Sequence, residues 1–118
     1  MPEFIHVNDV EYQPTGRGVG EESLLRRDNL TVKLLRYKKG DEVAMHRHTD
    51  EEHEKLIIQG KAEFTDNNGT KVTLGPGVLY MCGSGRTYYS GIFLEDSILM
   101  VIESSDSTIE YPTSNKEA

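Results

Sequence analysis

Gly40-Asp-Glu-Val-Ala-Met-His46-Arg-His48-Thr-Asp-Glu-Glu-His53-Glu-Lys-Leu-Ile-Ile-Gln-Gly60 is the stretch whose reading decides the fold. In an extended strand, side chains two apart project from the same face. His46 and His48 can therefore reach one point in space, as a shared metal ion requires. His53 follows five residues later, while the remaining histidine, His6, lies far off near the N-terminus.

Outward from this stretch the punctuation is that of an all-β protein, with short apolar runs separated by Gly, Asn and Pro at intervals of about ten residues. On one side, Leu30-Thr-Val-Lys-Leu-Leu-Arg-Tyr37 is rich in strand formers and stops at Lys-Lys-Gly40. On the other, Lys55-Leu-Ile-Ile-Gln59 stops at Gly60. Lys61-Ala-Glu-Phe-Thr65 and Thr70-Lys-Val-Thr-Leu74 flank Asp66-Asn-Asn-Gly69, which predicts a hairpin. Gly75-Pro-Gly77 is a second tight turn, since Pro fixes φ and Gly accepts positive values, and Val78-Leu-Tyr-Met-Cys82 leaves it as a strand. Arg86-Thr-Tyr-Tyr89 and Ser97-Ile-Leu-Met-Val-Ile102 read as strands, Ile109-Glu-Tyr111 as a short one, and residues 113–118 as a frayed tail. Helix signals are thin. Gly20-Glu-Glu-Ser-Leu-Leu-Arg-Arg27 is the one segment read as one or two helical turns. The preceding Gln13-Pro-Thr-Gly-Arg-Gly-Val-Gly20 lacks the strand, helix and Lys-Ser/Thr of a phosphate-binding loop and reads as a flexible loop.

Composition bounds the function. The 118 residues fit one domain, with a core at about 30–102, an N-terminal arm at 1–29 and a polar tail at 113–118. Lys and Arg number 13 against 20 Asp and Glu, so the net charge of −7 repels a phosphate backbone, and the basic pairs Arg26-Arg27 and Lys38-Lys39 are too scattered to offset it. Nucleic-acid binding is therefore disfavoured. The longest apolar run, Ile98–Ile102, is far short of the roughly 20 residues of a membrane span, and the N-terminus carries no signal-peptide pattern. The single Cys82 forms no intrachain disulfide, which suits a cytoplasmic protein, and reads as a small core residue.

The framing of the histidines resembles the first motif of the cupins, a superfamily of small β-barrels: Gly, five residues, His-x-His, three or four residues, Glu, six residues, Gly. This chain has Gly40, five residues, His46-Arg-His48, four residues, His53, six residues, Gly60, with His53 where the family has Glu. The second motif is present in outline, from Gly75-Pro-Gly77 through Cys82 to Gly83-Ser-Gly85, and counting onward as the family does puts Tyr88 at the position usually held by His. The resemblance spans residues 30–102 and implies a single-domain cupin jelly-roll β-barrel with a site inside one mouth.

On that resemblance one divalent transition metal ion, iron, zinc, nickel, copper or manganese, is held by His46, His48 and His53. Glu52 replaces His53 if the strand register slips by one. A three-imidazole site leaves the ion its full charge and open positions, whereas two His and a carboxylate suit facial-triad iron chemistry. Tyr88 is a poor neutral ligand, so its expected role, with Glu52, is proton handling; packing against Tyr89 and Phe93 is the alternative. Arg36, Arg86 and Tyr80 are candidates for holding an anionic substrate at the mouth. The implied function is a metal-dependent enzyme of dioxygenase or lyase type acting on a small organic substrate. The alternatives are a non-enzymatic cupin that senses or binds a small molecule or metal, and a metal-independent isomerase, cyclase or sugar-nucleotide epimerase. Small cupins commonly pair through a sheet edge, so a homodimer is expected.

Overall fold

The computed structural model describes residues 4–48, 53–81, 88–104 and 109–112, with His48, His53 and Glu110 described in their backbone only. Among these residues the strands are β1 (Gln13–Pro14), β2 (Glu21–Arg27), β3 (Leu30–Tyr37), β4 (Glu42–His48), β5 (His53–Gln59), β6 (Ala62–Asp66), β7 (Lys71–Leu74), β8 (Leu79–Met81), β9 (Tyr89–Phe93), β10 (Ser97–Ser104) and β11 (Ile109–Glu110). They form a six-stranded sheet, ordered β1-β2-β3-β10-β5-β8, and a five-stranded sheet, ordered β11-β4-β9-β6-β7. From β3 onward the chain passes back and forth between the two sheets, with only the β6–β7 hairpin staying in one. The barrel implied by the family resemblance is thus represented by two facing sheets, and no ladder joins one to the other among the described residues.

Strand alternation sets the inner face. Along β3 and β10 the residues of the core cluster fall two apart, Leu35 and Tyr37 on β3 and Leu99 and Val101 on β10, and Ile57 of β5 joins them. The facing sheet supplies Ala62, Phe64, Leu74, Tyr89 and Phe93 to the same core cluster. Tyr37 stacks on Phe93 with centroids 4.1 Å apart, which joins the two sheets at the apolar end of the core. Moving along the same strands, the inner positions turn polar: Lys33 and Lys55 are the cross-strand neighbours of Val101, and Glu103 lies opposite both Thr31 and His53. One end of the space between the sheets is therefore oily, and the other charged.

The two glycines that frame the histidines have a backbone reason to be glycine. Gly40 and Gly60 both adopt positive φ, 91° and 92°, which side chains disfavour. At Gly60 a Cβ would also run into Ser97 and the Asp96 carbonyl, so the β5–β6 turn can approach β10 only without a side chain.

The expected hairpin at residues 61–74 forms. Asp66 Oδ1 accepts the N–H groups of Asn68 and Thr70 at 2.9 and 3.0 Å, pinning the turn. Two expectations are corrected. The segment expected to make helical turns is β2, paired along its length with β3 through a bulge between Leu24 and Arg26. Seven residues are too few for a helix to stand without tertiary support, while a partner strand two residues away offers immediate hydrogen bonds. The Gln13–Gly20 segment, expected to be flexible, is instead tied to itself: the Thr15 hydroxyl donates to the Val19 carbonyl at 2.7 Å, and the Thr15 N–H to that of Gly20 at 3.2 Å. Cys82, Arg86, the residues between β4 and β5, and the tail at 113–118 lie outside the described residues. No helix in the described residues is long and apolar enough to cross a membrane.

Candidate functional site

His46 lies near the C-terminal end of β4, opposite Tyr89 of β9 in the ladder, and is only 6% exposed. Its ring sits 4.7 Å from the Tyr89 ring and 6.3 Å from that of Tyr111. Its Nδ1 stands 2.7 Å from the Ala44 carbonyl oxygen. A carbonyl only accepts, so Nδ1 must carry the proton, and in the neutral ring this leaves Nε2 as the nitrogen with a lone pair to offer. This is how a protein orients an imidazole for a metal.

The imidazole lines a cavity of about 300 Å³ between the sheets, whose polar wall is formed by Lys33, Lys55, Glu103, Arg17 and Tyr111. Lys55, 6% exposed, donates a short hydrogen bond to the Tyr89 hydroxyl. Its ammonium lies 4.2 Å from the Tyr89 ring centroid and 5.2 Å from that of Phe64, so the rings hold it through their electron-rich faces. Lys33 pairs with Glu103 at 3.3 Å and with Glu22 at 3.8 Å. At the rim the Arg17 guanidinium donates to the Tyr37 hydroxyl at 3.4 Å. Burial pushes the Tyr37 phenol above its ordinary pKa, and the nearby Arg17 charge opposes this only in part.

The remaining expected site residues are distributed unevenly. His48 closes β4 at the register position opposite Ile109, and His53 opens β5 opposite Glu103, so the backbone brings both to the polar end of the cavity. Glu52 lies outside the described residues. Among the described residues no three His, Cys, Asp or Glu side chains come together as a metal site, and the side chains of His48 and His53 are not among them. Tyr88 packs under the Arg47 guanidinium, 4.9 Å from its ring centroid, and Arg47 alternates with His46 along β4. The phenol placed beside His46 is Tyr89. Arg36 is not at the mouth: it pairs with Glu21 at 2.8 Å and covers the Tyr12 ring. Tyr80 packs edge-on against Phe64 and Tyr89 as an aromatic neighbour of the core.

Lys55, Glu103, Lys33 and Arg17 were not singled out by the sequence reading. For Lys55 the signal was there, since in a strand running from His53 it shares parity with His53 and Ile57. Glu103 carried none, because it stands at the border of the polar run after Ile102 and its inward aim depends on the length of β10.

No family model matches the sequence, and no curated protein matches it. Solved structures do. The chain is similar to a double-stranded beta-helix protein from Klebsiella pneumoniae, with TM-score 0.74 and 18% identity over 95% of this chain and 100% of that one. It is similar to an RmlC-like cupin from Shewanella frigidimarina, with TM-score 0.71 and 17% identity over 89% and 92%. It is also similar to the polyketide cyclase RemF from Streptomyces resistomycificus, with TM-score 0.77 and 15% identity over 93% and 84%. The fold is that of the cupins. The solved structures it resembles include a double-stranded beta-helix protein and an RmlC-like cupin, and likeness at this level of identity establishes the fold alone.

Proposed function

We propose that the protein is a metal-dependent cupin enzyme that acts on a small organic molecule in the cavity beside His46. The observation that carries this reading is His46 itself, a buried imidazole on a cavity wall whose Nδ1 stands against the Ala44 carbonyl, which in the neutral ring puts the lone pair on Nε2. His48 and His53 complete the ligand set in this proposal, with Glu52 as the alternative to His53. Their strands end at the same polar end of the cavity. All three nitrogens suit a divalent transition metal, which supplies Lewis acidity to a substrate oxygen when bound.

The chain's own residues do the rest. Phe64, Phe93, Leu99 and Val101 wall the cavity and exclude water, which strengthens every polar contact inside it. Lys55 Nζ donates to Tyr89 Oη and fixes the hydroxyl beside the His46 ring. In the proposal Tyr89 Oη passes or receives the proton, the role that motif counting gave to Tyr88. The likeness to a polyketide cyclase is analogy at the level of fold and accords with an enzyme. Metal titration of the purified protein tests the reading: wild type takes up one equivalent of a divalent transition metal, and His46→Ala and His48→Ala lose it. A wild-type protein that takes up none contradicts it.

Pairing into a homodimer is also part of the proposal. The cross-strand row Leu34, Met100, Leu56 and Leu79 runs apolar across the six-stranded sheet; Leu34 at one end is buried within the chain, whereas at the edge strand β8 Leu79 is 54% and Met81 63% exposed. A second copy of the chain, paired about a two-fold axis, covers Leu79, Met81 and the open edge.

A further inference from the structure

We infer that the cavity takes a small organic acid, its carboxylate held at the Lys55 end and its carbon chain running along Tyr89 toward His46. This deepens the reading of the cavity as the substrate site and rests on it.

Charge favours an anion here. The chain carries 20 acidic side chains against 13 basic ones, yet the described cavity lining reverses that balance, with Arg17, Lys33 and Lys55 against Glu42 and Glu103. Glu103 is bonded to Lys33, and Glu42 is at an exposed position on β4. A low-dielectric cleft focuses the field of its lining, so an acidic protein presents here a locally attractive spot for an anion.

Placement favours it too. Lys33 and Lys55 flank Val101 across β10, which puts their Cα atoms about 10 Å apart, two interstrand spacings. Lys33 is held by Glu103 and Glu22, while Lys55 reaches the Tyr89 hydroxyl. Burying an ammonium is costly where an apolar residue of similar length would pack without penalty, and Lys55 is nevertheless buried on the cavity wall. Tyr89 and Phe64 cradle its stem and head, so its position is fixed before any ligand arrives.

Reach fits as well. Lys55 Nζ and the His46 ring lie 4.2 and 4.7 Å from the centroid of one and the same Tyr89 ring. A carboxylate on Lys55 therefore leaves the next few atoms of its molecule beside the Tyr89 hydroxyl and His46, and a cavity of about 300 Å³ accommodates a molecule of a few carbons.

The test is calorimetric titration of malonate, dimethyl malonate and inorganic phosphate into the full-length protein kept in chelator, so that no metal can hold the carboxylate. Malonate binds; dimethyl malonate, which has the same skeleton without charge, binds at least ten-fold more weakly, as does phosphate. Lys55→Met weakens malonate at least ten-fold with its circular dichroism unchanged. Arg17→Gln, at an exposed rim position that folding tolerates, weakens it several-fold and keeps the inference testable should Lys55→Met not fold. Equal binding of the diester or of phosphate, or unchanged malonate affinity in both Lys55→Met and Arg17→Gln, overturns the inference. Absence of malonate binding in a protein that still takes up metal overturns it and leaves the metal reading standing, whereas malonate binding without metal uptake sinks only the metal reading.

Discussion

At the scale of single residues, His46 was legible from the sequence because its partner at i+2 and the glycines around it restrict what an extended chain can do with two imidazoles. The choice between Tyr88 and Tyr89 was not legible. Motif counting gives one position, but the face is set by the register of β9 against β4, in which His46 meets Tyr89. Tyr89→Phe removes the hydroxyl that Lys55 holds while keeping the ring beside His46. In the proposed enzyme it lowers kcat by about 100-fold or more with metal content unchanged, whereas Tyr88→Phe leaves kcat near wild type. Tyr37 gives a prediction that needs no substrate. Its phenol is raised by burial, so below about pH 10 it is protonated in both folded and unfolded chains and its effect on stability is flat. As pH climbs past 10 the unfolded chain ionises first, and stability falls. Tyr12, raised in the same direction chiefly by burial, adds to the fall. Urea unfolding between pH 8 and 11 shows that loss in wild type and a shallower one in Tyr37→Phe, whose ring can keep the stack on Phe93.

At the scale of elements, β3, β5, β6, β7, β8 and β10 were readable as short runs of strand formers set between turn residues, whereas β9 was not: a strand was expected to end at Tyr89, where β9 begins and runs on through Gly91 to Phe93. The β6–β7 hairpin shows the readable case best, with Asp66 bonding its own turn. The β2 strand was misread because Glu, Leu and Arg favour helices locally, and only the neighbouring β3 reveals the pairing that overrides this preference. The charged wall of the cavity was missed for a related reason: Lys33, Lys55 and Glu103 belong to three strands that are neighbours only in the sheet. The framing glycines separate two effects. Gly40→Ala meets no neighbour and bears only the positive φ, a cost of about 1 kcal/mol. Gly60→Ala adds a collision with Ser97 and the Asp96 backbone, and is expected to cost about 3 kcal/mol or more by chemical denaturation. Equal costs at the two positions would contradict the close approach of the β5–β6 turn to β10.

At the scale of the whole molecule, fold and function separate. The fold follows from strand order and turn chemistry, and structures sharing under a fifth of their residues with this chain share it. The reaction depends on which few side chains face the space between the sheets. The open β8 edge, with Leu79 and Met81 exposed on it, belongs to this scale too. Light scattering is expected to give a dimer mass, and the double substitution Leu79→Glu with Met81→Glu a monomer that still binds metal; a wild-type monomer contradicts pairing through this face.

The central claim is that His46 anchors a metal in the cavity between the sheets, and anomalous diffraction from crystals grown with an added divalent transition metal tests it most directly. The account predicts a single strong peak about 2.0–2.2 Å from His46 Nε2, with further ligands from His48 and either His53 or Glu52. An anomalous map with no peak at His46, in a protein whose cavity is otherwise intact, would contradict it.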